Sequence, residues 1–263
     1  MRFGLLVVLA TLWGATNAWA EPALVVKSTG DLKKALGAKD YAQARTCLER
    51  VKVDYKMDEA TEANRKAAVA AVGKAAGSSD KKLRFAAFDV LAEWKAKGSG
   101  KYLRKWLKAP KKGIVSQSTL KAIDTCGTIA DAGMLSSMRK LADHKNIQVA
   151  VAATRALGGY RTLNVAKRKK LAFELVKRME KLQGGNGSRG WGRGGPSTDK
   201  TEDQDGHHGD TRPGQTAMER RRTLLSATGA ALRQLTGETM SSTAEWTGWR
   251  HRNKKERDPF QNG

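Results

Sequence analysis

The chain has 263 residues and a formal net charge of +23, from 49 lysine and arginine residues against 26 aspartate and glutamate residues. This length allows one or two domains, and two cysteines exclude a disulfide framework as the basis of the fold. After the first twenty residues, no stretch approaches the roughly 20 apolar residues that a transmembrane helix needs.

The first twenty residues have the three parts of a secretory signal peptide. Arg2 supplies a positive start, residues 5–12 form a short apolar stretch, and residues 18–20 (Ala-Trp-Ala) fit the small-x-small rule for signal peptidase. We therefore expect cleavage near Ala20-Glu21 and a periplasmic or secreted protein. The alternative is an uncleaved N-terminal anchor.

The positive charge is concentrated in the part of the chain that follows this signal. Residues 21–182 hold 35 Lys/Arg against 16 Asp/Glu, a net +19, whereas residues 183–263 hold 13 against 10, a net +3. A field of this sign attracts nucleic acid, anionic lipid, acidic polysaccharide or acidic protein, and it does not choose among them.

Three stretches repeat the apolar spacing of an amphipathic helix, and their starts lie 32 and 34 residues apart. The stripes are Leu83, Ala86, Ala87, Val90, Leu91 and Trp94; Val115, Thr119, Ala122, Ile123 and Cys126; and Val149, Ala152, Ala153, Ala156, Leu157 and Tyr160. A second helix is predicted after each stripe, and residues 30–76 suggest a further helical pair or three short helices. Two helices per unit at this period predict an all-α solenoid of stacked helical hairpins.

Capping residues and composition set the predicted boundaries. Helix N-caps are expected at Ser79, Asp131, Asn146 and Asn164. The repeat domain is predicted at 21–183 and a disordered Gly/Ser/Asp/His linker at 184–215. A C-terminal helical segment at 216–256 is indicated by two capping boxes, which begin at Thr216 and Ser242. A disordered tail is expected at 257–263.

The paired helices and their alanine-rich first members resemble HEAT-type repeats of the armadillo-like class. The ending Ala231-Leu232-Arg233-Gln234-Leu235-Thr236-Gly237, followed by Trp246 and Trp249, is similar to that of exported HEAT-repeat proteins in planctomycete-like bacteria. This resemblance implies a HEAT-like solenoid that acts as a periplasmic or secreted interaction scaffold. It implies neither an enzyme nor a cofactor.

Two basic runs are the candidate binding residues for an acidic protein or another polyanion. The first contains Lys97, Lys101, Arg104, Lys105, Lys108, Lys111 and Lys112, and the second contains Lys167, Arg168, Lys169 and Lys170. Trp94, Tyr102 and Trp106 interleave with the first run, and helical spacing favours a core role for the two tryptophans. If the runs occupy corresponding edges of neighbouring repeats, they form one stripe. An unselective basic surface is the alternative.

Other candidate groups give weaker indications. Trp246 and Trp249 lie on one face of a predicted helix, where they either cap the solenoid or dock a partner. Cys47 and Cys126 are predicted either as buried thiols or as a disulfide. No catalytic site is predicted. No metal site is predicted either, because the Asp and His residues of 203–210 lack the spacing of a structural zinc or EF-hand site.

Two further functions stay open at this point. A basic helical scaffold could bind nucleic acid, as HEAT-like DNA alkylation glycosylases do, although the signal peptide argues against a DNA enzyme. It could also attach to an anionic membrane surface. The oligomeric state is not indicated.

Overall fold

A computed structural model describes residues 24–56, 61–110, 113–184 and 213–260, and the fold is all-α. Its α-helices are α1 (Leu24–Gly37), α2 (Tyr41–Asp54), α3 (Glu62–Ala75), α4 (Lys81–Glu93), α5 (Gly100–Leu103), α6 (Gln117–Ile129), α7 (Leu135–Ala142), α8 (Ile147–Gly158), α9 (Val165–Gly184), α10 (Pro213–Thr236) and α11 (Thr243–Arg252). Within these ranges, none of the helices combines the length and the apolar character needed to cross a membrane. The predicted signal peptide and linker residues 185–212 lie outside the described residues.

Helices α2, α4, α6, α8 and α10 form a front row in which each helix packs against the next. All five begin at the same side, which we name the start edge. There, Arg45 of α2 pairs with Asp80, the residue before α4, at 3.1 Å. At the far end of the row, Arg220 of α10 donates to the carbonyl oxygen of His144, just before α8, at 3.0 Å. The front helices are therefore parallel.

The opposite side, where the front helices end, is named the end edge. Lys52 in the last turn of α2 pairs with Glu93 at the end of α4, at 2.9 Å. The backbone N–H of Gly98, in the turn after α4, donates to the carboxylate of Asp131, just after α6, at 3.0 Å. These contacts hold the turns of neighbouring helices together and so place their side chains on a common surface.

A back row is formed by α1, α3, α5, α7, α9 and α11, and each of the first five packs against the front helix that follows it. Within this row, α7 is joined to α9 by an ion pair between Arg139 and Glu174 at 2.8 Å. The core lies between the rows. Fully or almost fully buried leucine and isoleucine side chains from successive front helices fill it, namely Leu48, Leu91, Ile123, Leu157 and Leu232.

Small residues let the last three front helices approach closely near the end edge. A Cβ placed on Gly127 of α6 would lie 2.7 Å from the Cα of Ala156 in α8. One placed on Gly158 would lie 3.0 Å from the Cα of Ala231 in α10. Since carbon atoms normally pack at about 3.5–4.0 Å, these positions accept no larger side chain without a shift of a helix.

The predicted N-caps are confirmed at Asp131, Asn146 and Asn164, whose side chains accept backbone N–H groups of the first helical turn. The cap of α4 is Asp80 and not Ser79, because the Asp80 carboxylate accepts the N–H of Leu83 at 2.7 Å. The first return helix is also shorter than predicted. It is the single turn of α5, continued by a 3-10 helix at Arg104–Leu107.

The C-terminal segment packs on the preceding helices, with α10 against α8 and α9, and α11 against α9. Helix α10 begins at Pro213, three residues before the predicted start of this segment. The capping box of α11 is confirmed, since Ser242 and Glu245 bond reciprocally to each other's backbone N–H. The C-terminal tail, predicted to be disordered, is packed in part. Phe260 lies against Trp249 with ring centroids 6.2 Å apart, because its ring is shielded from water there. Residues 261–263 lie outside the described residues.

Candidate binding surface

The first predicted basic run begins at the end edge and crosses towards the start edge. Lys97 lies in the turn after α4, Lys101 lies on α5, and Arg104 and Lys105 lie on the 3-10 helix that follows. These four side chains and Lys108 are exposed. Lys111 and Lys112 lie outside the described residues.

The aromatic residues of this run belong to the packing of the protein. Trp94 stacks on Tyr55 with ring centroids 3.8 Å apart and an interplanar angle of 12°. The indole N–H of Trp106 donates to the carbonyl oxygen of Ala76 at 2.9 Å, and its ring meets Phe88 edge-on. Both rings are half-buried. They are therefore committed to contacts inside the protein and do not offer free faces for stacking bases.

Lys105 is the member of this run that the fold uses most. Its ammonium group donates to the carbonyl oxygen of Gly77 and lies 4.7 Å from the centroid of the Trp106 ring. Lys101 lies 5.0 Å from the centroid of the Tyr102 ring. Among the described residues, none of Lys97, Lys101, Arg104, Lys105 and Lys108 pairs with a carboxylate. The positive charge of the run is thus not neutralised within this part of the chain.

A buried cation, Arg84, anchors the start of α4 next to this run. Its guanidinium donates to the carbonyl oxygens of Ser78 (2.7 Å) and Ser79 (3.1 Å) and to the hydroxyl of Ser118 (3.1 Å). It also lies 4.3 Å from the centroid of the Trp106 ring. Burial lowers the pKa of Arg84 from its ordinary value, and the nearby charge of Asp80 opposes that shift. Arg84 thus ties α4 to α6 from the interior.

The second predicted basic run divides into structural and exposed residues. Arg168 donates to the carbonyl oxygen of Leu235 at 2.8 Å, and its guanidinium carbon lies 3.9 Å from the centroid of the Phe260 ring. Lys169 donates to the carbonyl oxygen of Lys254 at 3.2 Å. Both side chains therefore hold the C-terminal segment against α9. Lys167 and Lys170 are exposed.

A cavity of about 470 Å³ lies at the end edge, beside the first basic run. Its lining spans the turn after α4, the end of α6, the end and following turn of α8, and α10: Lys95, Lys97, Asp124, Gly127, Thr128, Ile129, Ala130, Arg155, Ala156, Gly159, Arg161, Thr162 and Gln234. We name it the end-edge groove. Among the described members of the two predicted runs, Lys97 lines this groove, and Arg161 lies six residues before the second run. Lys95 and Arg155 were not predicted as site residues, and Arg155 has no basic neighbour in the sequence that could have indicated it.

Trp246 and Trp249 lie in the core, with 0% and 2% of their surface exposed. Their ring centroids are 5.9 Å apart, and Trp249 also meets Phe173 of α9 edge-on at 5.8 Å. The carboxylate of Glu180 on α9 holds α11 in place by accepting from Thr247 and Arg250, each at 2.8 Å. In this arrangement, the two tryptophans cover the back row and are not exposed for docking.

Within the described residues, the side chains that could act in acid–base or nucleophilic chemistry are buried or hydrogen-bonded to the backbone. Cys47 and Cys126 are free and buried, and burial raises the pKa of the Cys126 thiol to about 12. The Nδ1 atom of His144 accepts the backbone N–H of Asn146 in the turn before α8. Within the same ranges, no group of three His, Cys, Asp or Glu side chains could hold a metal ion. The Asp and His residues of 203–210 lie outside them.

The fold and surface together define an all-α protein of paired helical rows with a basic end edge. No family model matches this chain, and neither a curated protein nor a solved structure matches it.

Proposed function

We propose that this chain is an exported, non-enzymatic scaffold of the HEAT-like α-solenoid type that binds an acidic partner through its basic surface. The two rows of helices support the solenoid interpretation, because each helix packs on helices that are close to it in the chain, either in the same row or in the facing row, as units of a solenoid do. Export and a periplasmic or secreted location rest on the sequence of the first twenty residues.

The observation that carries this proposal is that the cations of residues 95–108 have no carboxylate partner within the described part of the chain. Six exposed cations lie there, namely Lys95, Lys97, Lys101, Arg104, Lys105 and Lys108. Residues 94–112 contain no Asp or Glu, whereas Lys52, Lys121 and Arg250, elsewhere in the described residues, pair with acids of neighbouring helices. A cluster of one sign raises the local concentration and association rate of a partner of the opposite sign.

The packing of the aromatic residues favours an acidic protein over single-stranded nucleic acid as the partner. Binding of unpaired bases uses aromatic faces beside a basic track. Here the Trp94 face is covered by Tyr55, and the Trp106 ring lies between Phe88, Arg84 and Lys105. The surface therefore offers charge without stacking platforms.

The test is a pull-down with the purified protein from its own cell envelope and culture supernatant at about 150 mM salt, where the Debye length is about 8 Å. Bound protein, nucleic acid, lipid and polysaccharide are all measured. The variant carries Lys101→Glu, Arg104→Glu and Lys108→Glu, which leaves Lys105 and its contact with Gly77 intact.

The matched control carries Lys34→Glu, Lys82→Glu and Lys140→Glu, three exposed cations outside residues 95–108 that form no ion pair among the described residues. We expect one dominant acidic protein that the first variant loses and the control retains, with equal helicity by circular dichroism. Retention of that protein by both variants contradicts the proposal. If nucleic acid or lipid is the dominant bound material, nucleic-acid binding or attachment to an anionic membrane replaces acidic-protein binding as the function.

A further inference from the structure

We propose that the end-edge groove binds an extended acidic peptide segment of the partner, with its carboxylates at the two ends and an uncharged middle. This inference rests on the proposed function, because it names how an acidic partner is recognised. It concerns Lys95, Arg155 and Arg161, which act together only because the front helices are stacked.

Four exposed cations lie in the groove in two pairs. Lys95 and Lys97 come from the turn after α4, and Arg155 and Arg161 come from the end of α8 and the turn that follows it. Among the described residues, none of the four pairs with a carboxylate. Four unneutralised cations in one cavity repel each other, and an anionic ligand relieves that repulsion.

The distance between the two pairs favours an extended ligand over a small anion. Helix α6 lies between α4 and α8 and packs against both. Packed helix axes lie about 8–10 Å apart, and the contact of Gly127 with Ala156 puts α6 and α8 at the close end of that range, so the helices that carry the two pairs lie about 16 Å apart. A single phosphate cannot reach both pairs. An extended peptide advances about 3.3 Å per residue, so carboxylates five to six residues apart match this separation.

The middle of the groove disfavours negative charge. Asp124 of α6 lines it, is exposed and pairs with no cation among the described residues. The floor there consists of small groups, including Gly127 and Ala156, with the Gln234 amide beside them. The Thr128 hydroxyl donates to the carbonyl oxygen of Asp124 at 3.2 Å, so it offers a ligand only its oxygen as an acceptor. A uniformly charged polyanion would be repelled by Asp124, whereas a peptide with neutral central residues would not.

The backbone conformation at the end of α4 places Lys95 in the groove. Lys95 has φ +47° and Ala130, which also lines the groove, has φ +53°, so both adopt the left-handed conformation that glycine prefers. A lysine at such a position strains the turn that ends α4. The same left-handed conformation follows α1 at Lys39, with φ +57°, and is common at helix ends; after α4 it puts an additional cation into the groove.

The test measures binding of two dye-labelled, end-blocked peptides to the full chain by fluorescence anisotropy at about 50 and 150 mM salt. The split peptide has two glutamates at each end and Gly-Ser-Gly between them, which separates the two charge centres by about 17 Å. The clustered peptide has the same composition with its four glutamates adjacent. We expect the split peptide to bind about fivefold more tightly, since the clustered peptide reaches only one cation pair.

The first variant carries Arg155→Gln and Arg161→Gln, and its matched control carries Lys82→Gln and Lys140→Gln, which are exposed cations outside the groove. The first should bind the split peptide about fivefold less tightly, at about twofold to threefold per exposed ion pair, and the control should be unchanged. A second variant, Lys95→Gly, removes a charge and suits the left-handed turn. It should therefore fold at least as well as the parent protein while binding the split peptide about twofold less tightly.

Equal affinity for the two peptides, or equal weakening by the variant and its control, overturns the groove proposal. The proposed function is tested separately from the groove. A partner that is lost by the Lys101, Arg104 and Lys108 reversal and retained by the groove variants leaves the scaffold proposal standing and removes the groove from it.

Discussion

Replacement of Gly127 by alanine tests the close approach of α6 and α8. The added Cβ would lie 2.7 Å from the Cα and 2.8 Å from the Cβ of Ala156, so the helices must separate by nearly 1 Å to restore an ordinary carbon contact. Such overpacking costs about 1–3 kcal/mol. The intrinsic preference of a helix for alanine over glycine returns about 1 kcal/mol.

The matched substitution is Gly30→Ala in α1, where no atom lies within 4 Å of the added Cβ. It receives the same helical preference without the steric cost, so we expect it to stabilise the protein by about 0.5–1 kcal/mol. The difference between the two variants in free energy of unfolding then isolates the contact, at about 1–3 kcal/mol.

The assay is urea unfolding followed by circular dichroism at 222 nm, with thermal unfolding as a second measure. For a chain of this size, each kcal/mol corresponds to about 2–4 °C in Tm. If the two alanine variants differ by less than about 0.5 kcal/mol, the helices do not approach as described. The same result would remove the small-residue floor from the end-edge groove.

Three more predictions concern single contacts. Arg84→Met should lower the free energy of unfolding by about 1–3 kcal/mol through the loss of its buried hydrogen bonds, whereas exposed Lys82→Met should change it by less than about 0.5 kcal/mol; equal urea midpoints would contradict this. Glu180→Ala should release α11 from α9 and speed proteolytic loss of the C-terminal helix several-fold, and an unchanged cleavage rate would show that this carboxylate does not hold the segment. Cys47 and Cys126 should resist a thiol reagent at pH 8 in the folded protein and both react in denaturant, since they are free and buried; fewer than two reactive thiols after unfolding would indicate a bond between them.

The all-α fold could be predicted because its signals are local. The apolar stripes of α4, α6 and α8 repeat at helical spacing, and the caps at Asp131 and Asn146 act within a few residues of themselves. The sequence could not decide between Ser79 and Asp80 as the N-cap, because either side chain could have capped α4. The hydrogen bond from Leu83 identifies Asp80. The first return helix, predicted from Tyr102, is short because its α-helical form ends at Leu103 and Arg104–Leu107 adopt the tighter 3-10 form.

The binding surface was predictable only in part, because its arrangement depends on contacts between distant residues. The exposed members of the first run follow from composition alone. The role of Arg168 could not be read from the sequence, because the carbonyl oxygen it binds belongs to Leu235, 67 residues later. Arg155 is an isolated cation in the sequence, and only the stacking of α4, α6 and α8 brings it to the same groove as Lys95.

The contacts of α9 with the end of the chain set an order for folding. Helices α1–α8 can pack as they are synthesised, since each meets partners made shortly before it. The faces of α9 that receive Leu235, Trp249 and Phe260 stay uncovered until those residues emerge. At about 5–20 residues per second, the roughly 76 residues after Gly184 take about 4–15 seconds to synthesise. During that interval the nascent chain presents apolar surface on α9, so a chaperone would meet the protein at this helix.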